Sequence, residues 1–415
     1  MTGFFRSRWV ECPGHVTELA PGALPRGFRA AGVAAGIKPD GRDVGLLVSD
    51  GPDTVSAARF TTNARVGAPV MVSRQARLDR LRAVVANSGC SNVGDGRRGY
   101  DTAAAMQAQA AELLGIEPAG VGVASTGVIG RELPRDRVLG GIEAACGELD
   151  RDADAFSRAI LTSDSGPKRC SLEVRLPSGS VRLAAQAKGA GMISPRFATM
   201  FCFIETDALL APETLDLLTG VCVKRSFDRI SVDGQLSTSD TVFALASGTA
   251  GLRVAPESAD ELALGEALDA LLRQLALEIV HDGEGAERVG RVVVRGGSEA
   301  VEPVARAVAD SPLVKAALHG GDPNFGRVLQ AAGQAYPLDQ PFVVDLEIEG
   351  RQVVCAGDAV ELEEAELREL ESAVLREEVE LVLSLPGEGG ETEVFFSDLS
   401  AAYAAYNAEY AKGRG

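Results

Sequence analysis

The sequence lacks long apolar runs, paired cysteines and clustered histidines. No run approaches the 18 apolar residues of a membrane-spanning helix, and no apolar signal region follows Met1, so the sequence predicts a cytoplasmic protein without membrane partners. Seven cysteines are scattered without any Cys-x-x-Cys pair. Because the three histidines are also isolated, we expect neither a disulfide framework nor a metal site.

Basic residues are also scarce. There are 41 Lys and Arg residues against 59 Asp and Glu residues, which gives a net charge of −18. Because this charge repels polyanions and no dense Lys/Arg cluster occurs, we expect no nucleic-acid partner. Aromatic residues make up only 5% of a chain that is 46% hydrophobic. This composition is typical of a soluble protein whose core is packed from small and β-branched side chains. The length of 415 residues predicts two or three cores, or one large interleaved core.

Apolar patterns along the chain predict a mixture of strands and helices. The first 30 or so residues, rich in glycine and proline, are expected to wrap the surface. A β-hairpin is expected across 171–187. The other predicted strands are 45–49, 82–87, 120–125, 200–206, 291–295, 341–348 and 376–385, and the predicted helices are 100–114, 212–223, 259–280 and 398–411. Because strands and helices do not alternate strictly, the pattern favours an α+β fold over a doubly wound sheet.

The segment from Lys188 to Thr199 is rich in glycine and precedes a short apolar strand pattern. It resembles a dinucleotide-binding loop, but the third glycine is missing and a strand rather than a helix follows. A threonine at this position can instead act as an N-terminal nucleophile after the Ala198–Thr199 bond is cut. Its own α-amino group, with a pKa near 7.7–8.0, then serves as general base. The pattern alone also fits an ordinary threonine at the start of a strand.

Three other loops carry candidate chemistry. Thr126 and Gly127 follow a strand and offer a hydroxyl and an unscreened N–H to an oxyanion, although an ordinary turn has the same pattern. Thr162 opens a hydroxyl-rich loop that either binds a polar ligand or caps a helix. Glu284 lies in a glycine-flanked turn and suits a substrate ammonium, although acidic turns of this kind are common.

Taken together, these motifs resemble one family, the ornithine acetyltransferases, also called glutamate N-acetyltransferases of arginine biosynthesis. Eight motifs occur in the family's order, and the resemblance extends over about residues 32–410. They are Phe60-Thr-Thr-Asn63 with Ala68-Pro-Val70, Asn87-Ser-Gly89, Ala124-Ser-Thr-Gly-Val-Ile-Gly130, Lys188-Gly-Ala-Gly-Met-Ile193 with Ala198-Thr199, Ile230-Ser-Val-Asp-Gly234 with Ser237-Thr-Ser-Asp-Thr241, Asp282-Gly-Glu-Gly-Ala286, Asp322-Pro-Asn324 with Gly326-Arg327, and Asn407-Ala-Glu-Tyr410. Each motif is weak alone, whereas their joint order is specific.

The resemblance implies a self-processing acyltransferase with an N-terminal-nucleophile-like fold of two interlocked mixed α/β halves, with layered sheets and helices. Cleavage between Ala198 and Thr199 would give an α chain, 1–198, and a β chain, 199–415, which assemble as α2β2. Thr199 would be the nucleophile and Thr126 with Gly127 the oxyanion hole. The substrate contacts implied by the family are Thr162, Lys188, Thr199, Glu284, Asn407 and the position held here by Lys412.

The implied reaction moves an acetyl group from N-acetyl-L-ornithine to L-glutamate without a cofactor, and some members also accept acetyl-CoA as donor. The sequence departs from the family at Lys412, where serine or threonine is usual, and at Phe325, where tryptophan is typical. It also departs within 90–92 and 235–236. These departures leave open a paralogue that acts on another N-acyl amino acid in secondary metabolism, or a hydrolase on the same fold.

Overall fold

The computed structural model describes residues 3–194, 200–297 and 299–410. The described residues form 17 strands in three sheets and 11 α-helices, which confirms the predicted α+β class. The chain divides into two compact units. The first comprises Met1–Gly189, Arg196–Asp228 and Leu236–Ile279, and the second comprises Ala190–Pro195, Arg229–Gln235 and Val280–Gly415. Each unit therefore draws on both sides of the predicted cleavage position, and the division into two chains at that position stays a prediction.

The strands and helices have the following bounds. The strands are Val16–Glu18 (β1), Phe28–Val33 (β2), Val44–Ser49 (β3), Val55–Phe60 (β4), Ala83–Asn87 (β5), Val121–Ser125 (β6), Lys168–Leu176 (β7), Gly179–Lys188 (β8), Phe201–Thr206 (β9), Ile230–Ser231 (β10), Thr241–Ala246 (β11), Val289–Gly296 (β12), Asp345–Ile348 (β13), Arg351–Cys355 (β14), Asp358–Ala359 (β15), Glu378–Ser384 (β16) and Gly390–Ser397 (β17). The helices are Ala68–Ser73 (α1), Gly96–Leu114 (α2), Arg135–Gly147 (α3), Asp154–Ala159 (α4), Pro212–Arg225 (α5), Ala259–His281 (α6), Val301–Asp310 (α7), Pro312–Gly320 (α8), Phe325–Ala335 (α9), Glu364–Ala373 (α10) and Ala401–Tyr410 (α11).

The first unit contains two sheets. The six-stranded sheet has the order β1-β7-β8-β9-β11-β4, and the four-stranded sheet has the order β2-β3-β5-β6. Helices α2 and α3 pack on one face of the four-stranded sheet, and the six-stranded sheet packs on its other face. The two sheets approach closely at Gly122, where a Cβ would lie 2.8 Å from the Phe243 ring. The small residue is required because there is no room for a side chain between the layers.

Strand β3 shows why the strands of the four-stranded sheet have apolar runs in sequence without polar alternation. Leu46 and Val48 face the helices, whereas Leu47 faces the six-stranded sheet. All six residues of β3 are buried. A strand covered on both faces needs apolar side chains at every position, so it lacks the alternation of a half-exposed strand.

The second unit contains a seven-stranded sheet of order β10-β17-β12-β16-β13-β14-β15. Strand β12 pairs in parallel with β16 and antiparallel with β17. Val292 and Val294 of β12 and Leu383 of β16 share one core with Val304 of α7 and Val328 of α9. Burial alternates along β16, as expected for a sheet with one covered face.

Two expectations about secondary structure need correction. The first 30 residues do not only wrap the surface, because β1 pairs with β7 and β2 begins at Phe28 as an edge of the four-stranded sheet. The strand expected across 341–348 begins only at Asp345. The Val343 N–H donates to Pro341 O at 3.0 Å, so the earlier half of that run forms a local turn instead of a ladder. In the described residues, no helix is long and apolar enough to cross a membrane.

A carboxylic acid is buried in the middle of the six-stranded sheet. Glu205 of β9 is inaccessible to solvent, and the Gln186 amide on the neighbouring β8 donates a hydrogen bond of 3.0 Å to its Oε2. Burial raises the pKa of Glu205 to about 8, although this hydrogen bond opposes the shift. Glu205 is therefore mostly protonated at neutral pH in the folded protein and ionised in the unfolded chain.

Substitution of Glu205 by glutamine is expected to flatten the pH dependence of stability. In the wild type the folded state holds a proton that the unfolded chain releases above about pH 4. The stabilisation from this proton is complete below that pH and is lost as the pH rises through about 8. The wild-type melting temperature should therefore fall more steeply between pH 5 and pH 8.5 than that of Glu205→Gln, with a difference in unfolding free energy of several kcal/mol.

The matched control is Glu173→Gln, which changes an exposed glutamate of the same sheet. We expect this variant to follow the wild type at every pH. Parallel melting curves of wild type and Glu205→Gln across the whole range would show that Glu205 is ionised in the folded state.

Candidate active site

The predicted oxyanion residues lie at the carboxyl end of two parallel strands. Strands β5 and β6 end together at Asn87 and Ser125. The Ser125 hydroxyl donates to Asn87 Oδ1 at 2.6 Å, and the Thr126 N–H donates to Asn87 O at 3.0 Å. The Asn87 amide in turn donates to Cys90 O at 3.0 Å. One buried asparagine thus fixes both loops and holds the backbone of Thr126 in place.

Gly127 has a conformation that requires glycine. Its φ is 124°, and a Cβ would lie 2.5 Å from Gly89 C and 2.7 Å from Cys90 N. A residue with a side chain cannot adopt this backbone conformation without strain, and the neighbouring loop already fills the space that its Cβ would need. Within the described part of the chain, no group accepts a hydrogen bond from the Gly127 N–H. That N–H is therefore available to donate to a bound group.

Lys188 ends β8 and contacts Thr126. Its side chain is buried, and its Nζ donates to Thr126 Oγ1 at 3.2 Å. Because an ammonium can only donate, Thr126 Oγ1 must be the acceptor, and the threonine's own O–H remains available to a second acceptor. The structure thus joins two of the predicted site residues, Lys188 and Thr126, beside Gly127.

Asp164 is a site residue that the sequence alone did not single out. Its side chain is wholly buried and accepts from Lys168 Nζ at 2.7 Å, from the Gly189 N–H at 2.6 Å and from the Thr162 N–H at 3.0 Å. Burial by itself raises the pKa of Asp164, but the charges of Lys188 and Lys168 outweigh it and hold that pKa below its usual range. Asp164 therefore positions the loop of Thr162, which is half-buried, and the chain directly after Lys188.

Glu284 and Asn407 meet within the second unit. The Asn407 amide donates to Glu284 Oε2 at 2.8 Å. The Glu284 N–H donates to Ala190 O at 2.8 Å, and a Cβ on Gly191 would lie 2.5 Å from the Glu284 carboxyl carbon. The glycine therefore allows the carboxylate to lie directly against the backbone that follows Lys188 in sequence.

Asp233 organises the same stretch of the second unit. Its carboxylate accepts from the Met192 N–H at 2.6 Å and the Ile193 N–H at 2.9 Å, and the Tyr403 hydroxyl donates to it at 3.3 Å. Burial and the charges of Asp233 and Glu284 raise the pKa of the Tyr403 hydroxyl, which therefore stays protonated. Asp233 therefore holds the backbone of Met192 and Ile193 in place.

The chain after the predicted nucleophile is anchored in the first unit. Strand β9 lies between β8 and β11 and is buried throughout. The Met200 N–H donates to Asp240 Oδ1 at 3.1 Å, and Met200 O accepts from the Thr241 N–H at 3.2 Å. Burial raises the pKa of Asp240 well above its usual value, against the effect of the Met200 hydrogen bond.

Three predicted site residues, Ala198, Thr199 and Lys412, lie outside the described residues. The structure therefore groups Thr126, Gly127, Thr162 and Lys188 in the first unit, and Glu284 and Asn407 in the second. In the described residues, no group of three or more His, Cys, Asp or Glu side chains is arranged to hold a metal ion.

Comparison with known proteins identifies the family. The model of the ArgJ family matches residues 29–412. The chain belongs to the ArgJ family. The arginine biosynthesis bifunctional protein ArgJ of Symbiobacterium thermophilum is 43% identical over 396 residues, which cover 93% of this chain and 97% of that protein. The protein of the same description from Rhodopirellula baltica is 41% identical, with 93% and 96% covered.

Solved structures of ArgJ proteins are also similar to this chain. The ornithine acetyltransferase of Mycobacterium tuberculosis complexed with ornithine is 35% identical with a TM-score of 0.40, and the match covers 43% of this chain and 98% of that one. ArgJ of Bacillus halodurans is 33% identical with a TM-score of 0.39, covering 45% and 97%. The family match confirms the resemblance found in the sequence and makes the chain an ArgJ-type enzyme of arginine biosynthesis.

Proposed function

We propose that the enzyme transfers the acetyl group of N-acetyl-L-ornithine to L-glutamate through an acetyl-Thr199 intermediate, and that it also accepts acetyl-CoA as donor. The observation that supports this most directly is the pair of donors in the first unit. Lys188 Nζ donates to Thr126 Oγ1, which leaves the Thr126 O–H and the Gly127 N–H to donate to an oxyanion. Family membership supports acetyl transfer in arginine biosynthesis.

In the proposed reaction, the Thr199 α-amine takes the proton of its own hydroxyl while Oγ1 attacks the acetyl carbonyl carbon. The Thr126 hydroxyl and the Gly127 N–H stabilise the negative oxygen of the tetrahedral intermediate. The carbon–nitrogen bond then breaks, and the ornithine amine leaves with the proton. The glutamate amine attacks acetyl-Thr199 by the same path in reverse, which gives N-acetylglutamate and regenerates the free threonine.

The roles of the other predicted residues belong to the same proposal. The Lys188 ammonium suits a substrate carboxylate, and the Glu284 carboxylate, held by Asn407, suits an ammonium. The chemistry needs no cofactor, because the nucleophile, base and oxyanion donors are all protein groups. We further propose that the mature enzyme is an α2β2 assembly of the two cleaved chains in the cytoplasm.

Two assays test the substrate assignment. We expect N-acetylglutamate to form when the enzyme is supplied with N-acetylornithine and glutamate, and again when it is supplied with acetyl-CoA and glutamate. Product formation is followed by mass spectrometry of the amino acids. Activity with the first mixture alone would restrict the enzyme to N-acetylornithine as donor. Release of acetate without N-acetylglutamate from either mixture would identify a hydrolase and overturn the proposal.

A further inference from the structure

A positively charged groove lies in the first unit between α1 and the start of α2. Its volume is about 930 Å³. Its lining includes three arginines, one aspartate and two larger side chains, namely Arg65, Arg74, Arg97, Asp95, Met71 and Tyr100. Arginines outnumber acids in this groove, although acids outnumber bases in the chain as a whole. Such a local reversal of charge attracts anions.

Two of these arginines have no carboxylate partner in the described part of the chain. Arg74 donates from Nη2 to Thr61 O at 3.0 Å and lies over the Phe60 ring, which fixes its guanidinium without neutralising it. Arg65 is exposed. Arg97, by contrast, pairs with Asp101 at 2.9 Å. Arg65 and Arg74 are therefore available to pair with an anionic ligand.

The amino terminus of α2 opens into the same groove. This helix has 19 residues, and its N-cap Asp95 makes no side-chain hydrogen bond to the first turn. Gly94 and Gly96 on either side have positive φ angles of 93° and 56°, and no atom lies within 4 Å of a Cβ built on Gly96. Uncapped N–H groups at the positive end of a helix dipole bind phosphate when the backbone is accessible.

We propose that this groove binds the phosphates and adenosine of an acyl-coenzyme A donor, an inference that rests on the acetyl-CoA part of the proposed function. Arg65, Arg74 and the α2 amino terminus pair with the phosphates. Met71, which is 46% exposed, and Tyr100 provide an apolar surface for the adenine ring. The volume is that of a typical small-molecule site.

The loop that lines the groove is hydrogen-bonded to the loop that carries the oxyanion residues. Its wall residue Val93 accepts from the Gly130 N–H at 2.8 Å, and the Ser91 N–H donates to Val128 O at 3.1 Å. Gly130 follows Gly127 by three residues, so their Cα atoms lie within about 11 Å of each other. A nucleotide in the groove can therefore extend its pantetheine arm and thioester to Thr126 and Gly127.

Calorimetric titration of the full chain tests the site directly. We expect coenzyme A and adenosine 3′,5′-bisphosphate to bind the wild type, and Arg65→Ala and Arg74→Ala to weaken both by about tenfold or more. Arg98→Ala is the matched control, because Arg98 lies in the first turn of α2 but pairs with Glu132 instead of lining the groove. Pantetheine and pyrophosphate are titrated as separate fragments of coenzyme A, and each should bind far more weakly than adenosine 3′,5′-bisphosphate.

Kinetics separate this inference from the proposed function. We expect Arg65→Ala to raise the KM for acetyl-CoA about tenfold while the KM for N-acetylornithine stays unchanged, which also shows that the variant is folded. Coenzyme A binding that depends on Arg65 without acetyl-CoA turnover would support the groove and refute the donor assignment. Equal coenzyme A affinity in wild type and both arginine variants, or pyrophosphate affinity equal to that of the bisphosphate, would overturn the nucleotide site.

Discussion

Thr199→Ala is expected to migrate as a single band of ~43 kDa on a denaturing gel, whereas the wild type gives two bands of about 20 and 22 kDa. Self-cleavage requires the threonine hydroxyl to attack the Ala198 carbonyl, and water then hydrolyses the resulting ester. Alanine has no hydroxyl and cannot start this shift. The uncut variant also lacks a free α-amine and should show no acetyl transfer.

Thr199→Ser is the control, because serine keeps the hydroxyl and should still be cut. The variants are expected to fold alike, since β9 is anchored after the cut by its two neighbouring strands and by the bond from the Met200 N–H to Asp240. Melting curves check this point. Two bands from Thr199→Ala would show that cleavage occurs at another bond. An uncut wild type after prolonged incubation would refute self-cleavage.

The sequence predicts the elements whose signal is local. The runs around β3, β5, β6 and β9 are short, apolar and bounded by turn residues, and the structure confirms all four as strands. The hairpin of β7 and β8 is also confirmed, with Gly179 at a φ of 154° directly after the turn. Each of these signals depends on residues adjacent in sequence, so no tertiary information is needed.

The short helices of the second unit are harder to predict. The run from Asp322 to Arg327 has turn-forming residues, but the structure places Asn324 as the N-cap of α9, with its side chain accepting from the Arg327 N–H at 3.1 Å. Turn formers and helix caps are the same residue types, because both bond locally to free backbone N–H groups. The helix is decided by Val328 and Ala332, which pack into the core of the seven-stranded sheet.

The same limit applies to the candidate site. Thr126 and Gly127 could be singled out as candidates because a strand end followed by threonine and glycine is visible in a few residues. Asp164 could not, since its partner Gly189 is 25 residues away and a lone aspartate in a polar loop has no distinguishing pattern. Asp233 likewise contacts Met192 across 41 residues and Tyr403 across 170. Carboxylates that organise loops are recognised only when the fold brings their partners together.

Gly127→Ala is expected to lower acetyl transfer by about 100- to 1,000-fold. The added Cβ would lie 2.5 Å from Gly89 C, and the φ of 124° is unfavourable for alanine. Relief of this clash must move the Gly127 N–H away from the oxyanion. Because the same donor serves the self-cleavage intermediate, cleavage on a denaturing gel should slow as well. Steady-state kinetics with N-acetylornithine and glutamate measure the effect on the cleaved fraction.

Gly130→Ala separates the loss of the donor from simple backbone strain. Gly130 also has a positive φ, 78°, but no atom lies within 4 Å of a Cβ built there. Strain of about 1–2 kcal/mol should therefore reduce the stability of both variants, whereas only Gly127→Ala collides with the Gly89 loop. We expect Gly130→Ala to keep kcat within a few-fold of the wild type. Equal kcat values for the two variants would mean that the Gly127 N–H makes no contact with the transition state.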